Sequence, residues 1–393
     1  MRLLYLSGDP GIPVLGEKGA SIHVRALASC FAELGHELTL ASPRLEPGSG
    51  RLPANVRLAE IPAVRPVECA THEDVQEQVA RQSQAVIELA RRERVQAIYE
   101  RYSLTGCAGA RAATALGLPL ALEVNAPLRE EERRFRRLAH ESAAIAAEQE
   151  AFAAAGRIFA VSSTLAAWLS SLGVEPERVE VMENAPPART FAPKPALASD
   201  EQIVVGFAGG LKPWHGIETL ALGFERALER GARMRLEIVG RGPAEVILDQ
   251  AGLPLERVTR RGHLPHDEAL AALEAWDVGL APYPVFEGFY FSPLKLVEYM
   301  AAGLCPVVSD VGELAQTVEH GRAGVVVRPG DADALAAALL ALDRDRVRLR
   351  ALGERARAAA LRRPSWRHNA AHVLETLAHL RATVSAGVLD REA

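Results

Sequence analysis

Two successive series of short apolar runs, each opening on glycine and answered by an amphipathic helix, constrain this chain more than any other feature. Arg2–Ser7 (RLLYLS) runs into Gly8, Asp9, Pro10 and Gly11, and the loop continues through Gly16, Glu17, Lys18 and Gly19. The spacing of Val24, Leu27, Phe31 and Leu34 predicts a helix over about Ser21–Leu34, stopped by Gly35, before a strand at His36–Ala41. Strand, glycine loop, helix, strand is a βαβ unit, whose crossover is right-handed. The alternation continues with strands near Ala97–Tyr99, Pro119–Glu123, Arg157–Val161 and Val179–Met182. Helices are expected over Ser103–Leu116, Arg129–Ala155 and Ser163–Leu172, the last capped by Ser162 or Ser163.

Pro186, Pro187, Pro193 and Pro195 then interrupt the periodicity. A second series begins at Gln202–Phe207, with strands at Arg235–Val239, Val258–Arg260, Val278–Ala281, Pro306–Ser309 and Gly324–Val327. The helices between them are expected at Ile217–Arg230, His266–Ala275, Pro293–Ala302 and from Asp331. The pattern therefore predicts an α/β protein of two doubly wound parallel-sheet domains facing across a cleft. The expected division is 1–190, a linker at 191–200, 201–365, and a C-terminal helix over 366–393 that packs on one domain or crosses back to the first. Ligands of such sheets sit outside the carboxyl ends of the strands, so the following loops should carry the chemistry.

The 393 residues carry a formal charge of −5, which excludes a basic field for nucleic acid. The densest basic stretch, Arg129–Arg137, mixes both signs at helical spacing and reads as a solvated face, with peripheral membrane contact as the lesser option. Cys30, Cys69, Cys107 and Cys305 form no CxxC pair, so neither a disulfide framework nor a zinc site is expected. No apolar run reaches the roughly 18 residues of a spanning helix, and no signal-type segment precedes the first strand. The expected setting is a reducing cytoplasm.

The stretch FYFSPLKLVEYMAAGLCPVVSD, residues 289–310, is the most informative. Ser292 suits an N-cap and Pro293 a first helical turn, so a helix start would aim backbone N–H groups and partial positive charge at a phosphate. Lys295 in that first turn opposes the helix dipole, and an anionic ligand supplies a reason for it. Glu298, one turn on, is placed to accept two hydrogen bonds from a ribose diol; the alternative is an ordinary surface pair with Lys295.

On these residues the chain resembles retaining glycosyltransferase family 4, in the subgroup reading S-P-x-K-x-x-E-Y-M-A-x-G. The resemblance extends to Val308–Gly312, His320–Gly324 and Pro329–Leu335 and covers nearly the whole chain. It implies the GT-B fold, an N-terminal acceptor domain and a C-terminal donor domain, with Glu298 on the ribose and the backbone of Ser292, Pro293 and Leu294 on the diphosphate and sugar. It also implies that the loop near His263 and Leu264 frames the nucleobase, that Arg241 lines the cleft, and that Gly16–Gly19 approaches the donor phosphates and the acceptor. The family's first motif carboxylate is replaced by Tyr290, and Glu287 lies three residues too early to substitute for it. The family's Arg and Lys phosphate clamp is replaced by Gly210 and His215, leaving Lys212, His215 and Lys295 to supply the positive charge. Many relatives carry a His near Glu123 and Asn125; its absence makes those two, with Arg101 at another strand end, candidates for the sugar or acceptor side, Asn125 being placed with the catalytic group. Packing accounts for Tyr102 equally well.

Asp331–Asp333 and Asp343–Asp345 resemble metal-binding DxD strings, yet Asp331 reads as a helix cap and Asp343–Asp345 as a helix junction. The expected activity is metal-independent transfer of a hexose or N-acetylhexosamine, with retention, from a UDP-linked donor to a small-molecule, glycan or lipid-linked hydroxyl. No cofactor is expected, since the nucleotide sugar is a substrate, and no oligomeric state is legible. The competing expectations are a nucleotide-sugar 2-epimerase of the same fold and a non-catalytic nucleotide-sugar-binding partner protein.

Overall fold

The computed structural model describes residues 1–198, 201–285 and 288–392. Ser199 and Asp200, at the end of the expected linker, and Glu287 lie outside the described residues. The chain divides into two compact units: residues 1–183 with the C-terminal segment from Trp366, and Asn184–Ser365.

In the first unit, strands β1 (Arg2–Ser7), β2 (Glu37–Ser42), β3 (Val56–Glu60), β4 (Ala97–Arg101), β5 (Leu120–Val124), β6 (Arg157–Ala160) and β7 (Val179–Val181) form a parallel sheet in the order β3-β2-β1-β4-β5-β6-β7. In the second, β8 (Ile203–Ala208), β9 (Met234–Val239), β10 (Val258–Gly262), β11 (Val278–Ala281), β12 (Cys305–Ser309) and β13 (Val325–Val327) are parallel in the order β10-β9-β8-β11-β12-β13. Both orders reverse direction once, between β1 and β4 and between β8 and β11. The crossovers there leave to opposite sides, so the loops part and open a crevice at the carboxyl ends.

The inner strands are apolar because both faces are covered, whereas the edge strands β3 and β10 are polar and largely exposed. Val205, Phe207, Leu236 and Ile238 are buried beneath the helices Ile217–Glu229 and Ala332–Arg344, which contribute Leu220, Phe224, Leu335 and Leu339. Against the other face, Trp276 and Tyr299 pack with Phe191 and Leu304. Glycine makes this possible: a Cβ on Gly206 would fall 1.9 Å from the Trp276 ring, and one on Gly279 would fall 2.5 Å from Tyr299.

Several elements differ from the expectations. The helical region foreseen over Arg129–Ala155 is two helices, Leu128–Phe135 and Glu141–Ala154, parted at His140, whose φ is 51°. The first buries nothing, whereas the second seats Ala144, Ala147, Ala151 and Phe152, so only the second is held by packing. β3 and the helix His72–Arg92 lie in a stretch where no element was foreseen; that helix starts in a capping box between Thr71 and Asp74. The segment read as a linker is anchored at two points: Phe191 is buried, and Lys194 Nζ donates to the carbonyls of Leu273 and Glu274, each at 2.7 Å, while Ala192, Pro193, Pro195, Ala196 and Ala198 are exposed. The C-terminal helix, Trp366–Glu392, belongs to the first unit, where the Trp366 ring meets His23 edge-on at 4.9 Å.

Candidate functional site

In the second unit the reversal point is built by the loops after β8 and β11 and by the helix Leu294–Ala301. Tyr299, buried in that helix, accepts a hydrogen bond from the Ala208 amide at 2.7 Å, which ties the helix to the carboxyl end of β8. The loops themselves touch: a Cβ on Gly216 would lie 1.7 Å from the Pro282 carbonyl oxygen. Helix 294–301 begins one residue later than the sequence suggests. Pro293 itself is the N-cap, with ψ 118°, and no side chain caps the helix. Ser292 therefore does not cap; its carbonyl accepts from Asn184 Nδ2 at 2.7 Å. The first-turn amides of the helix are left with no side-chain acceptor, as an anion-binding terminus requires.

Lys295 is 9% exposed, and its Nζ is buried with no hydrogen-bond partner. It stands 4.0 Å from the centroid of the Phe207 ring and 5.8 Å from that of Tyr283, so two aromatic faces are what offset the lost hydration. The surface pair with Glu298 does not form. Burial pulls the Lys295 ammonium down to about 7, with Glu298 pulling the other way. A cation held without an acceptor in a low-dielectric site is costly unless an anion arrives.

His215 shares the same aromatic surroundings, at 6.2 Å from Phe207 and 5.7 Å from Tyr283 between ring centroids. Burial first, and then Lys295 and Lys212, lower its pKa to about 3, while the bond to Gly210 opposes this. The expectation of a cationic His215 is therefore corrected: at neutral pH the ring is uncharged. Its Nδ1–H donates to the Gly210 carbonyl at 2.5 Å, which leaves Nε2 with a lone pair. Lys212 is exposed.

Glu298 is engaged by a residue the sequence reading overlooked. His266 Nε2–H donates to Glu298 Oε1 at 2.8 Å, fixing the carboxylate and leaving Oε2 for another donor. The only sequence signal was a histidine opening the helix that follows β10, close to the loop of His263 and Leu264. His263 is exposed, whereas Leu264 packs against the cluster around Trp276. The Arg241 guanidinium borders the same strand end, its Nε 3.1 Å from where a Gly262 Cβ would stand. Tyr290 is buried, its ring 4.3 Å from that of Phe291 within an aromatic group that includes Phe289 and Tyr283. It completes a core where a carboxylate was looked for.

At the reversal point of the first unit the arrangement is different. Glu123 is 1% exposed and accepts from His23 Nε2 at 2.9 Å, Tyr99 Oη at 2.8 Å, Arg101 Nη1 at 2.7 Å, Tyr5 Oη at 3.2 Å and Asn125 Nδ2 at 3.3 Å. Burial by itself raises the Glu123 carboxyl, but His23, Arg101 and Tyr99 together outweigh it and hold it at about 2. The expectation that Glu123 faces a sugar or an acceptor is corrected: every direction it could offer is taken. Arg101 and Asn125 are drawn into the same cluster. Tyr5, Tyr99 and His23 were not foreseen, because strand and helix periodicity marks them as core. The Gly16 carbonyl accepts from the buried Arg25 guanidinium, which also donates to Val14 at 2.8 Å, and Gly19 opens the helix Gly19–Glu33. Tyr102 donates to Glu148 at 2.6 Å and is buried.

Asp331 and Asp345 act as caps, accepting from the amides of Ala334 and Arg348 at 2.8 and 2.9 Å.

Residues 18–185 match the family described as Glycosyltransferase Family 4, and residues 202–345 match the family described as Glycosyl transferases group 1. Each half carries a glycosyltransferase domain. The glycosyltransferase of Mycobacterium leprae (strain TN) named phosphatidyl-myo-inositol mannosyltransferase is 36% identical over 155 residues, 39% of this chain and 40% of that protein. Its namesake in Mycolicibacterium smegmatis (strain ATCC 700084 / mc(2)155) is 32% identical over 194 residues, 48% of each chain. The chain thus spans about half or less of the length of these curated relatives. Among solved structures, sucrose-phosphate synthase from Thermosynechococcus elongatus superposes with a TM-score of 0.76 at 21% identity, over 98% of this chain and 100% of that one. A glycosyltransferase from Rickettsia africae ESF-5 gives 0.71 at 12% identity over 96% and 98%. The fold is GT-B. Among the described residues no helix is long and apolar enough to cross a membrane.

Proposed function

We propose that this chain transfers a hexose or N-acetylhexosamine from a nucleoside diphosphate, UDP in the first instance, to a hydroxyl acceptor, with retention and without a metal. The observation that carries this reading is the buried, unpartnered Lys295 ammonium at the reversal point of the second unit. The diphosphate meets the amides at the start of helix 294–301, which no side chain caps, and draws the Lys295 proton into a charge-assisted hydrogen bond. It also raises the basicity of His215, whose Nε2 can then be protonated and donate. Glu298, held through Oε1 by His266, offers Oε2 to the ribose. The bond from the anomeric carbon to the phosphate oxygen breaks, and the acceptor oxygen bonds to that carbon on the same face. The acceptor proton passes to the departing phosphate, whose charge Lys295 stabilises. The mannosyltransferase names of the partial relatives fit a hexosyl cargo.

The test is a thermal-shift panel of UDP-, GDP- and ADP-linked hexoses, followed by product analysis with and without a chelator. A preferred nucleotide sugar that stabilises the protein, and a product of unchanged anomeric configuration formed in chelator, is the expected result. Epimerised donor without acceptor, or no turnover of the preferred donor with any hydroxyl acceptor, contradicts it.

A further inference from the structure

Asn184, the first residue of the second unit, donates through Nδ2 to the Ser292 carbonyl at 2.7 Å. Ser292 shares its peptide with Pro293, the residue from which helix 294–301 starts. That peptide has no N–H, so its carbonyl is its one hydrogen-bonding handle. The proline ring locks the following φ, here −74°, and the Pro293 carbonyl accepts from the Leu296 amide at 3.0 Å. Two successive peptides are thereby oriented, and the second carries the Leu294 N–H, the first amide of the helix.

Upstream of Ser292 the loop is seated through aromatic side chains. A Cβ on Gly312 would lie 2.5 Å from the Phe289 ring, and Phe291 stacks with Tyr283 at 6.2 Å between centroids. Asn184 supplies a polar anchor at the next residue, and its own backbone is fixed on both sides. The Glu183 carbonyl accepts from Asn369 Nδ2 at 3.0 Å, Ala185 is buried, and Pro186 restricts Ala185 to extended backbone. The Asn184 side chain is thus a short arm on a buried support.

We infer that Asn184 is a positioning residue for the nucleotide site, aiming the Leu294 and Lys295 amides at the diphosphate through the Ser292 carbonyl. The inference rests on the proposed diphosphate site at helix 294–301. A primary amide suits this role because it donates to the carbonyl without adding charge. The isosteric Asp, when ionised, only accepts, and would set a carboxylate oxygen against the Ser292 oxygen.

Calorimetric titration of the full chain with UDP, GDP and ADP, then with pyrophosphate and with the nucleoside of the preferred nucleotide, tests this in Asn184→Asp and Asn184→Ala. Both variants should bind the nucleotide and pyrophosphate about 3- to 10-fold more weakly, as loss of one hydrogen bond predicts, and the nucleoside unchanged. General damage to the second unit would weaken all three together. Hydrogen exchange at the Leu294 and Lys295 amides, which needs no ligand, should quicken in both variants; Asn184→Ala carries the test if Asn184→Asp fails to fold. Nucleotide and pyrophosphate binding that is unchanged in the variants, or equal losses for pyrophosphate and nucleoside, overturns the role of Asn184 alone. No binding of any nucleotide or pyrophosphate to the unaltered protein overturns the diphosphate site and this inference with it.

Discussion

Glu123 in the first unit and Lys295 in the second are both buried near the point where the strand order reverses, and they are treated in opposite ways. Glu123 in the first unit is surrounded by five donors and is held ionised at about 2. Lys295 in the second has two aromatic faces and no acceptor, and has fallen to about 7. A satisfied buried charge stabilises a fold and has nothing left to offer a ligand. An unsatisfied one costs stability in the free protein and returns it as binding energy. On the proposed function, the same topology supplies an internal strut in one unit and a receptor in the other.

The sharpest way to break this contrast is to remove the strut. Glu123→Ala strands an arginine, a histidine and two tyrosine hydroxyls in the core, and should cost about 3–5 kcal/mol in denaturant unfolding. A loss below about 1 kcal/mol would mean the cluster is not holding the first unit together. Lys295→Met should act in the other direction, raising stability by about 1–3 kcal/mol near pH 6 while weakening nucleotide binding. Because the folded pKa of Lys295 lies below the ordinary lysine value, the unfolded chain binds the extra proton between about pH 7 and 10.5. The penalty is therefore complete below about pH 7 and fades as pH rises, so the gain from Lys295→Met should shrink across that window.

Glu123 carries the opposite signature. Its folded pKa is depressed, so its contribution is complete above the ordinary value of about 4.5 and is lost as pH falls towards about 2. Glu123→Gln should flatten that part of the acid unfolding profile. The smallest effect is expected of His266→Ala. It frees Glu298 Oε1 and should weaken nucleoside binding by about 0.5–1.5 kcal/mol, while phosphate-only ligands such as pyrophosphate bind unchanged. Equal losses for both ligands would remove His266 from the ribose side.

Much of this was legible before any coordinates. Alternating apolar runs and glycine turns gave the strands of both sheets except β3, because periodicity and turn chemistry are local. The helix His72–Arg92 was passed over although Thr71 and Asp74 spell a capping box and Val75, Val79, Val86 and Leu89 recur at helical spacing, because polar residues separate them. Lys295 and Glu298 were legible as a pair on one helix, yet their separation into an aromatic box and a histidine bond was not. Those partners, Phe207, Tyr283 and His266, come from another strand, a loop and another helix. Glu123 was read as open for the same reason: its donors Tyr5, His23 and Tyr99 lie 24 to 118 residues away, and each looks like core in its own segment.

The central claim is that Lys295 is left unpaired for a diphosphate, and calorimetry of UDP, GDP and ADP at pH 8 in buffers of different ionisation enthalpy tests it most directly. Binding of the preferred nucleotide should be accompanied by proton uptake, because a phosphate beside Lys295 raises a group that starts near 7. In Lys295→Met that uptake should fall and affinity should drop roughly 10- to 100-fold. Equal affinity and equal proton uptake in the two proteins would contradict it.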